Sequence, residues 1–318
     1  MKTEISTDRN AAVELLRQGE IVALPTETVY GLAADALNPI VVAKIFEAKG
    51  RPRFDPLIVH LPNREWLEKL ADIPAQDRQL VVRLAEKFWP GPLTMVLPKK
   101  EIVPGIVTAG LETVAVRISA HPVFAEIVQG FGKPLAAPSA NRFGRISPTT
   151  AKHVLDELNG HIRLIIDAGP ATHGIESTIV AVHSGKINIL RRGPIISKQL
   201  REFGQVGIAT DREKIFAPGQ LPSHYAPRTP LRIVDDLKSF ESNQRCALLA
   251  WNPVQKDERF IASRNLSEKQ DLREAATNLF RYLRELDALD VDLIVAERVP
   301  SQGLGAAILD RLQRAAHA

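Results

Sequence analysis

Cysteine is nearly absent. Cys246 is the single one in 318 residues, which excludes an internal disulfide framework and fits a reducing compartment. Aromatic residues are only 5% of the chain, and no stretch interleaves aromatics with basic residues as RNA-binding modules do. No apolar run approaches the roughly 18 residues needed to cross a membrane. The N-terminal Met-Lys-Thr-Glu-Ile-Ser-Thr-Asp lacks the apolar centre of a signal peptide. The chain also lacks a phosphate-binding Gly-x-x-x-x-Gly-Lys, a Gly-x-Ser-x-Gly elbow, His-Glu-x-x-His and Cys-x-x-Cys. Its Asp and Glu residues show no metal-cage spacing. These absences lead to the expectation of a soluble, cytoplasmic protein without the usual nucleotide, hydrolase or zinc signatures.

What is present is an ordinary globular balance, 45% hydrophobic and 25% charged, with a net charge of +4 that suits an anionic ligand or a weak nucleic-acid contact. The length predicts about two domains. Asp8 is placed to cap a first helix, and Asn38-Pro39 reads as cap and first position of another with Val41, Val42, Ile45 and Phe46 inward. Strand patterns at 21–24, 57–61, 93–97, 114–118, 135–138, 164–167, 178–182 and 187–190 alternate with helical ones, which predicts an α/β domain. The adjacent strands in 178–190 imply a hairpin, so the sheet should be mixed rather than purely parallel. From 205 to 230 the pattern breaks around Pro218, Gly219, Pro222, Pro227 and Pro230, and this stretch reads as a linker. We therefore expect a catalytic domain over 1–204, a proline-rich linker over 205–230 and a smaller α/β domain over 231–318. The last would hold strands at 231–234, 247–251 and 293–296, a long helix near 268–289, and another helix after Gly303-Leu-Gly305. That glycine pair lacks the third glycine of a dinucleotide fingerprint, Ile308 standing in its place, and reads as a helix-entry turn. Cys246 reads as a core residue.

The chain is organised around 44–60, where Lys49, Arg51 and Arg53 crowd a turn at Gly50 that Pro52 and Pro56 stiffen, before an apolar strand ending at His60. Such a loop suits phosphate oxygens, because arginine offers a planar fork of donors. Taken alone, a Lys-Gly-Arg tripeptide is more often a solvated basic turn. Arg117 stands inside an apolar strand, where an unpaired charge is expensive, so it needs an anion or carbonyls. An internal salt bridge satisfies it as well as a ligand does. Pro25–Ala33 is a loop with three hydroxyls and one charge, Glu27. Ala137-Pro-Ser-Ala-Asn141, Glu176-Ser-Thr178 and Arg191-Arg-Gly193 put further polar groups at strand ends, a common place for α/β ligand sites.

Read together, these strings resemble the L-threonylcarbamoyladenylate synthase family, the YrdC-like enzymes of tRNA modification. The matching residues are Pro25-Thr-Glu-Thr-Val-Tyr-Gly-Leu32, Lys49-Gly-Arg51-Pro, Pro56-Leu-Ile-Val-His60, Arg117, Pro138-Ser-Ala-Asn141, Ser147-Pro-Thr149, Ser177-Thr-Ile-Val180 and Arg191-x-Gly193. His224-Tyr225-Ala-Pro227 and the tail from Gly303 through Asp310-Arg-Leu to Arg314-Ala-Ala resemble its two-domain form. The resemblance implies a YrdC-like twisted mixed sheet with flanking helices, plus a Rossmann-like C-terminal domain. It implies a nucleotidyltransferase that turns L-threonine, bicarbonate and ATP, with Mg2+, into threonylcarbamoyl-AMP and pyrophosphate. Other proteins would then pass the threonylcarbamoyl group to tRNA beside the anticodon.

By matching position, Thr28, His60, Arg117, Ala137 and Ser177 would surround threonine. Lys49, Arg51, Asp55, Thr113, Ser139, Asn141, Ser147, Arg191, His224 and Tyr225 would surround ATP. The catalytic set would be Lys49 and Arg51, on the departing pyrophosphate, and His60, assisting deprotonation of the amine or only contacting the substrate. Asp55 stands where the family commonly has asparagine, there to help hold magnesium or to pair with Arg53. The linker would act as a lid. Two other readings compete. One is an RNA-binding module with a basic concave face. The other is a carbamoyl-transferring relative, which the absence of accessory zinc-type cysteine motifs disfavours.

Overall fold

A computed structural model describes residues 2–208, 224–253 and 257–317. The first unit begins β1 (Glu4–Ser6), α1 (Arg9–Arg17), β2 (Val22–Leu24), β3 (Gly31–Asp35) and α2 (Pro39–Lys49). It continues with β4 (Ile58–His60), α3 (Glu65–Leu70), α4 (Ala75–Phe88), β5 (Leu93–Pro98), α5 (Gly105–Thr108) and β6 (Thr113–Arg117). Next come α6 (Pro122–Phe131), β7 (Leu135–Ala136), α7 (Ala151–Leu158) and β8 (Leu164–Ile166). The unit closes with β9 (Thr178–His183), β10 (Lys186–Arg191), α8 (Ser197–Leu200) and β11 (Gln205–Ile208). The second unit runs β12 (Leu231–Val234), β13 (Cys246–Ala250), β14 (Phe260–Asn265), α9 (Leu272–Asp287), β15 (Leu293–Glu297) and α10 (Gly305–Ala316).

Local chemistry sets several of these boundaries. The Asp8 carboxylate accepts from the backbone of Asn10 and Ala11, and Asn38 does the same for Ile40 and Val41, so both helices start where orphan N–H groups find a side chain. α2 stops at Gly50, whose φ of 60° lies in the left-handed region that glycine enters without strain. That stop leaves Lys49 on the last helical residue and the basic turn immediately beyond it.

The first unit's strands lie in the order β1-β8-β2-β3-β7-β4-β6-β5-β9-β10-β11, and the sheet is mixed, as expected. β4 and β6 are parallel, β5 is antiparallel to β6 and parallel to β9, and β9–β10 is the expected hairpin. Alternate residues of its strands divide between two cores. Ala23, Leu32 and Ala34 face a core that includes Val42 and Ile45 of α2 and Leu84 of α4, while Val22, Leu24 and Ala33 face one with Leu16 of α1 and Phe124 of α6. Helices therefore cover both faces, and the ends of the strands are left to carry the chemistry. The second unit is an all-parallel sheet ordered β12-β15-β13-β14. Cys246 is buried in it, as expected, and Gly305 starts α10 where an added Cβ would meet the Pro300 carbonyl at 2.0 Å.

The two units share a core: Val29, Ile146 and Ile175 of the first pack with Tyr225, Leu279, Phe280 and Ile308. The stretch read as a linker differs from that reading at its start. Gln205–Ile208 is a strand pairing in parallel with β10, a short, half-exposed edge element whose pattern is weak beside the prolines that follow. Pro218, Gly219 and Pro222, and with them the middle of the expected lid, lie outside the described residues. Beyond them, Ala226 donates to the Gly144 carbonyl at 2.8 Å.

Close approach of the units generates a test. Gly174 has φ +69°, and a Cβ there would lie 2.5 Å from the Ala276 carbonyl and from Thr277 Cα on α9. Gly174→Ala should destabilise the protein by about 2–4 kcal/mol through overpacking and left-handed strain, read as a lower thermal midpoint. An unchanged midpoint would mean that this loop does not bear on α9.

Candidate active site

β4 and β6 run side by side and end together, which sets His60 opposite Arg117. Because β9 runs against β6, its leading residues Glu176 and Ser177 reach the same sheet edge, and the hairpin returns Arg191 there at the end of β10. The β2–β3 connection brings Thr26, Thr28 and Val29, the turn after α2 brings Arg51, and the exit from β7 brings Ala137, Pro138 and Ser139. His224 and Tyr225 close the cleft. Of the residues expected at the site, Thr28, Arg51, His60, Arg117, Ala137, Ser139, Ser177, Arg191, His224 and Tyr225 line one cleft.

Four others stand behind its wall or beside it. Lys49 is 1% exposed, and its ammonium donates to the carbonyls of Ser139, at 2.6 Å, and Asn141. Asn141 donates to the Arg142 and Arg145 carbonyls at 2.7 and 2.9 Å and so shapes the loop that carries it. Ser147 donates to Glu176. Asp55 is fully buried and forms an ion pair with Arg51 at 2.8 Å, not with Arg53. Arg53 is solvent-exposed on the outer side of the turn, whereas the chain folds Asp55 inward, four residues on from Arg51. Thr113 begins β6 while Arg117 ends it, on the same strand face and about 13 Å away, and the β4–β6 register sets it across from Pro56, whose carbonyl accepts from Arg51.

Each cation of the site is buried and has an internal partner. Arg117 donates to Thr28 Oγ1 at 3.1 Å and pairs with Glu27, and Ser119 donates to the other oxygen of Glu27. Both readings of the in-strand arginine thus meet in one group: the salt bridge exists, and the Arg117 Nε–H remains buried without a partner. Arg51 donates to the carbonyls of Asp55 and Pro56 at 3.2 and 2.8 Å. Arg191 donates to Ser177 at both its carbonyl and its hydroxyl, each at 3.0 Å, and that hydroxyl lies 2.8 Å from Thr94 Oγ1.

Burial dominates the electrostatics. It would raise the Glu27 carboxyl, but the Arg117 charge and hydrogen bonds from Ser119 and Arg117 outweigh it and hold the pKa at about 2. Burial and the neighbouring Arg51 push the Lys49 amine well below its usual value. Burial, against the pull of Arg51, Lys49 and Arg191, raises Asp55. His224 is pushed well down by burial and by Arg51, Lys49, Arg191 and Arg311, so it faces those cations as a neutral ring. Burial and Arg117 lower His60 to about 3, and its Nδ1 is a buried acceptor or donor with no partner. Clustered shifts of this kind mark functional sites.

Three participants stand in strings that the sequence singles out but receive no site role there: Glu27, Glu176 and Arg311. Glu27 was visible as the single charge in an otherwise hydroxyl-rich loop. Glu176 and Arg311 lie 135 residues apart and join only in the fold. Among the described residues no three His, Cys, Asp or Glu side chains converge as a metal cage. The cleft can hold a carboxylate at Arg117 and phosphates between Arg51 and Arg191, with hydroxyls and unpartnered polar atoms between.

Comparison with known proteins gives a consistent picture. A family model described as telomere recombination matches residues 14–193, and one described as threonylcarbamoyl-AMP synthase, C-terminal domain, matches residues 195–317. The threonylcarbamoyl-AMP synthase of Pyrococcus abyssi is 39% identical over 326 residues, covering 96% of this chain and 92% of its own. That of Bacillus subtilis is also 39% identical, over 320 residues with the same coverage of 96% and 92%. The crystal structure of P. abyssi Sua5 complexed with L-threonine superposes with a TM-score of 0.89 at 38% identity, covering 97% of this chain and 94% of that one. Escherichia coli YciO, at 17% identity and a TM-score of 0.51, covers 60% of this chain and 96% of its own, and shares the fold alone.

His60 yields a prediction. The unfolded imidazole takes a proton near pH 6.5, the folded one only near 3. The unfolded state therefore binds more protons between these values, and stability falls as pH drops through that window. His60→Asn should reduce the loss of stability between pH 6.5 and 4.5 by about 2–3 kcal/mol, measured by urea unfolding. An unaltered acid profile would mean that His60 is not buried neutral.

Proposed function

The chain belongs to the two-domain Sua5/YciO/YrdC family, and on that premise we propose that its cleft makes L-threonylcarbamoyl-AMP from L-threonine, bicarbonate and ATP. The reaction releases pyrophosphate and water. The observation that carries this reading is the unpartnered Arg117 Nε, buried beside Thr28, His60 and Ser177, with Arg51 and Arg191 across the same cleft.

The threonine carboxylate takes the open Arg117 donor, Glu27 having already oriented the guanidinium. Thr28 and Ser177 meet the substrate hydroxyl, which discriminates against amino acids lacking it because the site's own groups would be left unpaired. Bicarbonate and the threonine amine give an N-carboxylate with loss of water. Its oxygen attacks the α-phosphorus, and pyrophosphate leaves toward Lys49, Arg51 and Arg191, which gather the charge. Triphosphate near Lys49 would oppose the effect of burial and favour the charged form of its amine. With a pKa of about 3, His60 is too weak a base to deprotonate an ammonium group and serves as a neutral contact to the substrate. Positioning carries the catalysis, since the attack needs no covalent help from the protein.

ATP use implies a divalent cation. Among the described residues no three acidic, His or Cys side chains converge, and Asp55 faces Arg51 through one oxygen, so magnesium in this reading travels on the ATP phosphates. The product would pass through other proteins to an adenosine beside the tRNA anticodon, in the cytoplasm. Among the described residues no helix is long and apolar enough to cross a membrane. The division into a catalytic domain over 1–204, to whose sheet the strand Gln205–Ile208 still belongs, a linker reaching 230 and a second domain over 231–318 is proposed alongside the two family matches.

The direct test is pyrophosphate release from ATP, with each co-substrate omitted in turn. Release should require threonine and bicarbonate together; release indifferent to threonine would refute the assignment. Arg117→Lys keeps a charge beside Glu27 but loses the fork. It should raise the threonine KM about 10- to 100-fold, the worth of one or two charge-assisted hydrogen bonds, and leave the ATP KM nearly unchanged. Equal effects on both substrates would remove Arg117 from the threonine end.

A further inference from the structure

Arg311 heads the fully buried side chains by size, yet it belongs to α10 of the second unit and does not line the cleft. Its guanidinium reaches out of that unit into the first. Nε donates to Glu176 Oε2 at 2.9 Å, and Nη2 to the Arg192 carbonyl at 2.9 Å. Nη1 donates to neighbouring Asp310 at 2.7 Å, and the guanidinium carbon lies 5.1 Å from the centroid of the Tyr225 ring. Glu176 and Tyr225 are cleft wall, and Arg192 directly follows Arg191. Tyr225 also stacks on Phe280 of α9 at 5.4 Å, and its hydroxyl is buried without a partner. The other oxygen of Glu176 accepts from Ser147. One side chain thus holds three segments distant in sequence: Glu176 beside Ser177, the turn after Arg191, and Tyr225.

Stability alone does not account for this arrangement. Burying an arginine and a glutamate costs several kcal/mol per ion, which their attraction often fails to exceed, and apolar residues of like volume would join the units at least as well. What the guanidinium adds is direction: fixed donors that set a carboxylate, a carbonyl and a ring face relative to one another. The opposite end of the cleft has anchors of its own, Arg117 on Glu27 and Thr28, and Ser177 on Thr94 as well as on Arg191.

We propose that Arg311 is a positioning residue for the ATP end of the active site. From behind the wall it keeps Glu176, the turn after Arg191 and the Tyr225 ring in register, so the second unit completes the nucleotide site without touching the nucleotide. The proposal rests on the assignment of Arg191 and Tyr225 to ATP made above.

Two variants test it. Arg311→Lys preserves a compensating charge and so keeps Glu176 from being stranded. The double variant Arg311→Met with Glu176→Gln removes both charges together and avoids an unpaired buried ion. In either, the KM for ATP should rise about tenfold, with the threonine KM changing less than about twofold, the scale expected when groups shift by a fraction of an ångström. ATP binding by calorimetry should weaken by the same factor, which gives a reading independent of turnover. Parallel rises in both KM values, or wild-type ATP binding in a folded variant, would overturn the proposal and leave Arg311 as a tie between units. Wild-type protein measured alongside separates the two levels: if it releases no pyrophosphate with threonine and bicarbonate, the proposed reaction fails. If it does and the variants match it, only the positioning role fails.

Discussion

The ion pair between Arg117 and Glu27 is the constraint from which the cleft follows. An arginine closing an apolar strand needs an anion, and the loop after β2 delivers one at the depth of the sheet edge. The pair neutralises the strand end and fixes the guanidinium plane, yet it leaves Nε without a partner. The same pattern recurs around the cleft. Lys49 rests on two carbonyls, Arg51 on Asp55 and Pro56, and Arg191 on Ser177. Buried basic side chains are thus held in place by internal partners, preorganised for negative charge that develops later. Such networks tolerate little disruption, because every unmet donor carries a desolvation penalty.

A mixed sheet makes the convergence possible. In a purely parallel sheet one edge would collect only strand C-termini. Here β4 and β6 end where β9 begins and β10 ends, so residues from four strands and from the β2–β3 loop meet at one place. Helices on both faces leave this edge open, and the second unit covers it through the core shared by Tyr225, Phe280 and Ile175. The long, two-sided burial of strands also explains why charged side chains on them have to be functional or paired.

Much of this was legible in the chain. Asp8 and Asn38-Pro39 announced their helices through capping chemistry that acts over three residues, and the hairpin at 178–190 was audible in adjacent apolar runs. Arg117 betrayed the site because a charge breaks an apolar strand. What stayed hidden depends on long-range contact. Glu176 and Arg311 look like ordinary polar residues until the two units close. β3 was obscured by its place directly after a hydroxyl-rich loop, and β11 by its half-exposed edge position. The amphipathic α4 and the edge strand β14 carry no motif that drew notice. Of the two roles the sequence leaves open for Asp55, holding magnesium or pairing with Arg53, the turn excludes the second by selecting Arg51. The RNA-binding alternative finds no support in a cleft whose cations are sunk beneath the surface rather than displayed on it.

The most direct test of the account is a crystal structure of the protein with L-threonine and a non-hydrolysable ATP analogue. The account predicts the threonine carboxylate within hydrogen-bonding distance of Arg117 Nε and the phosphates between Arg51 and Arg191. Ligands seated elsewhere, or threonine bound with its carboxylate turned away from Arg117, would contradict it.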